Sequence, residues 1–336
     1  MDILQNYSLK AHNTFGINAK AEYYVAVNTH EELMVVYTSD TYRNIKKRVL
    51  GGGSNVLLTS DIEGMVIHPS FTSIKVEKEE KEEIFISSGA GENWDNFVEY
   101  CVSRNYGGIE NLSLIPGDVG SSPIQNIGAY GAEVKDTIAW VEYFDLGSCS
   151  LMRRDNAACR FGYRNSIFKN ELKDTFVITR VCFRLQKDPA IDVSYGNIRD
   201  ELKGTENINI QDVRKVVINI RSAKLPDPEL TGNAGSFFKN PVVPLVQYQD
   251  LKTRYPQIPG YPLAEDYVKI PAAWMIQECN WKGYTEGNVG VHKKQPLVLI
   301  NLGKATGHEV LYLANRIVKS VQEKFDVLLE KEVNIW

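Results

Sequence analysis

Apolar residues recur along this chain in two periods, and the switches between them lay out its elements. Alternating or short apolar runs at 23–27, 48–50, 65–67, 84–86, 140–144 and 176–185 predict strands. Trp94, Phe97, Val98, Cys101 and Val102 fall at i, i+3, i+4, i+7, i+8, one face of a helix, and Gly107 and Gly108 are placed to stop it. Thr29 with Glu32, and Thr306 with Glu309, have the spacing of a capping box. Val310, Leu313, Ala314, Ile317 and Val321 extend the second into an amphipathic helix. Residues 213–220 and 272–279 read as helices, 296–301 and 325–333 as strands. The glutamate and lysine run at 77–83 reads as a solvated hairpin loop. Such alternation argues for an α/β or α+β chain. Pro226 and Pro228 mark a boundary.

Composition narrows the class without choosing a function. The 336 residues suffice for two or three domains, and 43% apolar content is ordinary for a soluble protein. A net charge of −4 gives no case for non-specific nucleic-acid binding. Cys101, Cys149, Cys159, Cys182 and Cys279 form no C-x-x-C pair, and the histidines show no metal-ligand spacing, so no metal site is expected. Neither a signal peptide nor a membrane-spanning run is seen, so a cytoplasmic protein is the expectation.

Residues 115–131 break both periods. They combine glycines, two prolines and paired serines with almost no charge. Such a loop brings bare N–H groups close to a ligand, and successive N–H groups form anion sites. It is either a phosphate-binding loop or an irregular surface loop. Gly51-Gly52-Gly53-Ser54-Asn55 follows a strand without a Walker lysine or a G-x-G-x-x-G pattern. It is a second phosphate turn or a plain tight turn. Two such loops could clasp the two phosphates of a dinucleotide. Arg160 and Arg164 flank an aromatic–glycine turn, suited to a carboxylate or phosphate, or to one structural ion pair. Ser236 lies among small residues before two phenylalanines, without a nucleophile elbow. It is a hydrogen-bonding or proton-donating serine, or a turn serine. Glu330 and Glu332 share one face of the expected final strand, with Lys331 on the other. They form a part-buried carboxylate site or a solvated edge.

In their order these segments resemble the flavin-dependent UDP-N-acetylenolpyruvoylglucosamine reductases of bacterial peptidoglycan precursor synthesis. Asn13-Thr14-Phe15-Gly16 and the blocks 50–57, 89–94, 114–131, 159–168, 224–228, 232–241 and 329–333 carry the resemblance from end to end. It implies an α+β fold of the vanillyl-alcohol-oxidase type, with two FAD-binding lobes at 1–70 (joined by 326–336) and 71–228. A substrate-binding lobe follows at 229–325. FAD contacts are implied at Gly51, Gly52, Gly53, Ser54, Asn55, Ile115, Pro116, Gly117, Gly120, Ser121, Ser122, Ile127, Gly128 and Arg221. Tyr195, Lys224, Asn240, Tyr261 and Gln295 are implied for the UDP-sugar, Tyr195 lying in an insertion typical of the family's first type. The implied chemistry passes hydride from NADPH to FAD, and from FAD to the vinyl carbon of an enolpyruvyl ether. Arg164 stabilises the developing oxyanion, Glu332 polarises the carboxylate, and Ser236 donates the proton. The partners implied are the UDP-sugar and NADPH, with no nucleic acid or membrane, in a monomer.

The chain departs from that pattern at two places. Asp118 stands where the family often has a small or neutral residue, a charge that is unfavourable beside a pyrophosphate unless it points away or is paired. Lys331 replaces a common proline between the last two glutamates, and no loss of activity is expected from it.

Overall fold

The structure, a computed structural model, describes residues 1–191, 196–264 and 266–336. The chain folds as two compact units, 1–7 with 21–52 and 63–223, and 8–20 with 53–62 and 224–336.

The first unit holds two sheets. In the smaller one the strands run in the order Ile3–Ser8, Lys20–Val27, Ile62–Pro69, Lys47–Val49, the last two parallel with Val49 opposite Ile67. Helix α1 (His30–Thr38) buries Leu33 and Val36 against Val25, Val27, Met65 and Ile67. Its start has the expected chemistry: the Glu32 N–H donates to Thr29 Oγ1 at 3.2 Å, while the Glu32 carboxylate reaches one residue further back, to the Asn28 N–H at 2.6 Å.

The larger sheet is antiparallel, ordered Ser150–Asp155, Ile138–Asp145, Phe176–Gln186, Glu83–Gly89, Ile74–Glu79. The charge run at 77–83, expected as a loop, lies mostly in this last hairpin's strands: 77–79 and 83 are paired or strand residues, and only 80–82 form the turn. Helix α2 (Trp94–Val102) sets its predicted apolar face on this sheet, with Trp94 and Phe97 ring centroids 5.8 and 4.9 Å from that of Phe183. It ends well before the glycines expected to stop it. Asn105 takes a left-handed turn (φ 61°), and the Gly107 N–H donates to Gln186 O at 2.9 Å. Gly107 therefore serves the sheet rather than the helix end. Helices α3 (Gly196–Glu201) and α4 (Ile210–Lys224) form a separate apolar cluster around Ile198, Leu202, Val213, Val217 and Ile220.

The second unit carries α5 (Leu245–Arg254), α6 (Ala272–Glu278) and α7 (Gly307–Phe325), with two three-stranded sheets. Helix α7 buries Val310, Leu313, Ala314, Ile317, Val321 and Phe325, and both arms of its capping box are formed. Two expected strands are corrected. That at 296–301 shortens to Leu299–Asn301, because the Val298 N–H turns back to Gln295 O at 3.0 Å. Residues 325–333 are not a strand. Phe325 closes α7, Asp326 is left-handed (φ 55°), and Lys331 makes a single bridge to Phe238. Strand pairing resumes at Asn334–Ile335, parallel to Val56–Leu57.

Among the described residues no helix is long and apolar enough to cross a membrane.

An N-cap hydroxyl contributes about 1 kcal/mol. Thr306→Ala is therefore expected to lower unfolding free energy by about 1 kcal/mol, with an unchanged dependence on urea. An unshifted urea midpoint would show that α7 does not rely on its cap.

Candidate active site

In the first unit the two glycine-rich segments meet backbone to backbone. A Cβ on Gly51 would stand 2.7 Å from Ser121 Oγ, and one on Gly52 would stand 3.0 Å from Gly117 Cα and 3.0 Å from Asp118 Oδ1. A side chain on either residue would push these atoms aside, so the contact favours glycine. The Asp118 carboxyl faces the Gly52 N–H, which acts to lower its pKa. Gly120 packs as closely behind the loop, where a Cβ would lie 2.6 Å from Ala90 Cβ. The N–H groups of Gly51 and Gly117 have no acceptor among the described residues. This is a cradle of bare backbone donors, the arrangement a phosphate needs. Ile115 and Pro116 lie at its more open end, and Ile127 is buried. The Ser122 hydroxyl is committed within the loop, donating to Val119 O at 2.7 Å.

Arg164 is built onto the same loop. Asn126, buried and left-handed (φ 47°), donates to Gly162 O at 3.1 Å, and Ser166 Oγ donates to Ile124 O at 2.6 Å. Between these anchors Arg164 is itself left-handed (φ 51°), and its Nη2 donates to Gly128 O at 3.3 Å. A non-glycine residue held in that region costs about 1 kcal/mol or more. Such strain persists where surrounding contacts fix it, as they do here.

Arg221 projects from α4, with Nε donating to Leu114 O at 3.2 Å. Burial lowers its pKa, Tyr130 and Asp95 act in the opposite sense, and Arg164 lowers it further. Two guanidiniums thus lie within electrostatic reach of one another beside the glycine-rich loop. They remain charged, and an anion is what such a pair favours.

The start of the loop is held by a residue the motifs do not reveal. Asp95 accepts from the Leu114 N–H at 2.5 Å and forms a two-pronged pair with Arg214 at 2.7 and 3.0 Å. Burial raises its pKa, but Arg214 and the Leu114 N–H outweigh burial and hold the carboxyl below its ordinary range. Its partner lies 119 residues away, so no local pattern could have announced it.

The second unit contains the rest of the predicted set. Gly53 is fixed by packing: it is left-handed (φ 62°), and a Cβ would lie 2.0 Å from His12 O. Its carbonyl accepts from the Thr14 N–H at 3.1 Å. The Ser54 N–H has no acceptor among the described residues. Asn55 donates through Nδ2 to Glu332 O at 3.4 Å.

Ser236 and Glu332 come together through backbone pairing. The Glu332 N–H donates to Phe237 O at 2.8 Å, the Lys239 N–H donates to Glu330 O at 2.9 Å, and Ser236 bridges Val298 on the other side. The 236–239 segment is thus a short central rung between two others, pinned by the buried rings of Phe237 and Phe238. Glu330 and Glu332 do not share one environment as expected. Glu330 reaches out to Lys239 at 2.8 Å, an exposed pair of little energetic weight, whereas Glu332 is 9% exposed. Lys331 itself is half-buried at the bridge to Phe238.

Lys224 is an exposed cation at the end of α4, without a partner among the described residues. The Asn240 side chain is committed to the start of α6, accepting from the Ala272 N–H at 3.0 Å. Tyr261 is 58% exposed, and Gln295 sits at the turn before Val298. Tyr195 lies outside the described residues.

Known proteins give the chain its family. Residues 21–151 match the model of an FAD binding domain, and residues 227–336 match the C-terminal domain of UDP-N-acetylenolpyruvoylglucosamine reductase. The reductase of that name from Flavobacterium johnsoniae is 45% identical over 339 residues, covering 100% of both chains. The chain belongs to this reductase family. The family's member from Amoebophilus asiaticus is 44% identical, over 100% of this chain and 99% of its own. Among solved structures, the family's enzyme from Thermus caldophilus superposes with a TM-score of 0.70 at 24% identity, covering 100% of this chain and 98% of that one. p-Cresol methylhydroxylase superposes at 0.50 and 13% identity, over 99% of this chain and 84% of its own. The fold is accordingly the α+β, vanillyl-alcohol-oxidase type expected. The chain is an FAD-dependent oxidoreductase, and the donor-lined glycine turns are consistent with a dinucleotide.

Asp95 supplies a test of how the loop is held. A carboxylate whose folded pKa is depressed stabilises the protein above the ordinary carboxylate range and loses that contribution as pH falls. Asp95→Ala is expected to cost about 2 kcal/mol at neutral pH, and the gap to the parent should narrow in acid. Urea titrations at the two pH values check this. A gap that stays constant with pH would remove the charge from the explanation.

Proposed function

We propose that this chain reduces UDP-N-acetyl-3-O-(1-carboxyvinyl)-glucosamine to UDP-N-acetylmuramate, with NADPH as electron source, in peptidoglycan precursor synthesis. The observation that carries the reading is the hydrogen-bonded rung placing Ser236 and Glu332 on adjacent segments, within a chain matched to its relatives over its full length. Bound FAD supplies the two-electron hydride chemistry. Its holding residues are the two turns, through Gly51, Gly52, Gly53, Ser54 and Asn55 and through Ile115, Pro116, Gly117, Gly120, Ser121, Ser122, Ile127 and Gly128, with Arg221 toward a phosphate.

The remaining work belongs to side chains. Addition at the terminal vinyl carbon drives negative charge into the substrate carboxylate, and fixed positive charge is most effective where charge develops. Arg164 takes that role, supported by its fixed backbone and its place beside the loop. Glu332 acts on the carboxylate, a role supported by the burial of its side chain. Ser236 Oγ gives the proton to the carbon next to the carboxylate. A hydroxyl is a weak acid, and the paired rungs on both sides hold it in place for that transfer. Lys224 meets the substrate phosphates, and Tyr195, Tyr261, Gln295 and Asn240 border the sugar. Asn240 does so as a support, since its carbonyl oxygen is already engaged.

Purified protein is expected to be yellow with a flavin spectrum. A colourless protein that takes up no FAD would sink the assignment. In anaerobic stopped-flow, Ser236→Ala should bleach with NADPH at the parental rate. Its recovery of colour on adding the enolpyruvyl sugar should slow by about a thousandfold. Equal slowing of both phases would exclude a proton-donor role.

A further inference from the structure

Asp118 takes no part in the proton transfers above, yet its carboxyl stands at the contact between the two turns read as holding FAD. We propose that Asp118 is the positioning residue of the cofactor site, a latch whose carboxyl holds the Gly51–Gly52 turn against residues 117–121 and ties FAD affinity to its own charge. The inference rests on the FAD reading of these turns and deepens it.

Geometry carries the latch. The carboxyl faces the Gly52 N–H, and its oxygens lie 3.0 and 3.6 Å from where Cβ atoms of Gly52 and Gly51 would stand. The backbone that bears Asp118 is clamped on both sides. The Trp94 N–H donates to Gly117 O at 2.9 Å, Val119 N–H to Glu92 O at 2.8 Å, Gly120 N–H to Ala90 O at 2.9 Å, and Ser121 N–H to Asp118 O at 2.9 Å. The carboxyl therefore cannot leave the contact by moving its own chain. The Gly51–Gly52 turn has no side chains of its own, so at this contact the carboxyl supplies the side-chain partner.

Charge gives the second half. The elements around Asp118 carry few ionisable groups: Arg48 and His68 on the strands flanking the first turn, and Glu92 and Asp95 at the start of α2. Asp95 is engaged by Arg214, and His68 Nδ1 lies 2.8 Å from Leu50 O. Burial raises the Asp118 pKa to about 7, with the Gly52 N–H acting in the opposite direction. The protonated acid still accepts from Gly52 and adds no charge beside a pyrophosphate. The ionised form keeps the latch but repels the pyrophosphate. Binding of FAD then favours the protonated form, so affinity is full below the free-state pKa and falls as pH rises above it.

FAD is titrated into the full-length protein from about pH 6 to about pH 9 at constant ionic strength, with quenching of flavin fluorescence as readout. The parent protein should bind FAD about tenfold more weakly at the alkaline end. Asp118→Asn keeps an acceptor for Gly52 without a charge. It should bind as tightly as the parent in acid and show a flat profile. Asp118→Ala loses the latch and should bind more weakly at every pH. If Asp118→Ala fails to fold, the Asn variant decides alone. A parental slope retained in Asp118→Asn, or a flat parental profile, overturns the proposal. Absence of FAD binding at any pH overturns the flavin reading itself, and the latch with it.

Discussion

The proposed cofactor site is built on one steric fact: the Gly51–Gly52 main chain lies so close to residues 117–121 that a Cβ on it would crowd Gly117, Asp118 and Ser121. At Gly51 and Gly52 the space a side chain would fill belongs to Ser121, Gly117 and the Asp118 carboxyl. Close packing of this kind leaves N–H groups facing outward without local acceptors, which suits them to an anionic ligand. Arg164 and Arg221 add the formal charge that backbone dipoles lack. Rigidity comes from behind, through the Asp95 pair with Arg214 and the hydrogen bonds of Asn126 and Ser166. The loop is irregular in conformation without being loosely held.

The second unit uses the same device for a different end. Gly53 against His12 O, Gly232 against Phe15 O and Gly307 against Leu58 O are all positions where a methyl group would collide with a carbonyl. These close approaches bring segments far apart in sequence into register, so that Ser236 and Glu332 can be aligned by main-chain hydrogen bonds. Side-chain chemistry is placed on a frame whose accuracy is set by backbone.

Much of this is legible in the chain. The faces of α2 and α7, both helix-starting threonines and the strands of the two larger sheets follow from periodicity and capping, because burial imposes those periods. Motif order points to Arg164, Ser236 and Glu332. What escapes is long-range. Gly107 looks like a helix stop until its bond to Gln186 is known. Residues 325–333 have strand-like composition, but the left-handed Asp326 and the single bridge at Lys331 deny them a partner strand. Glu330 and Glu332 look equivalent by period two, but the segment forms no strand, so one faces solvent beside Lys239 while the other is buried. Asp95 has no local signature, and Asp118 looks merely out of place until the Gly52 N–H is known to need an acceptor.

The pairing of Asn334 and Ile335 with Val56 and Leu57 has a consequence for synthesis on the ribosome. Residues 63–223 of the first unit are contiguous and emerge early. Residues 8–20 and 53–62 pair with one another early, but their other partners lie more than 160 residues downstream, and the hydrogen bond from Thr59 to Trp336 O closes a separation of 277 residues. Pairings so distant form late. The buried carboxylate at Glu332 is therefore among the last groups to reach its place, and the nascent protein can hold a nearly finished first unit before the second has closed.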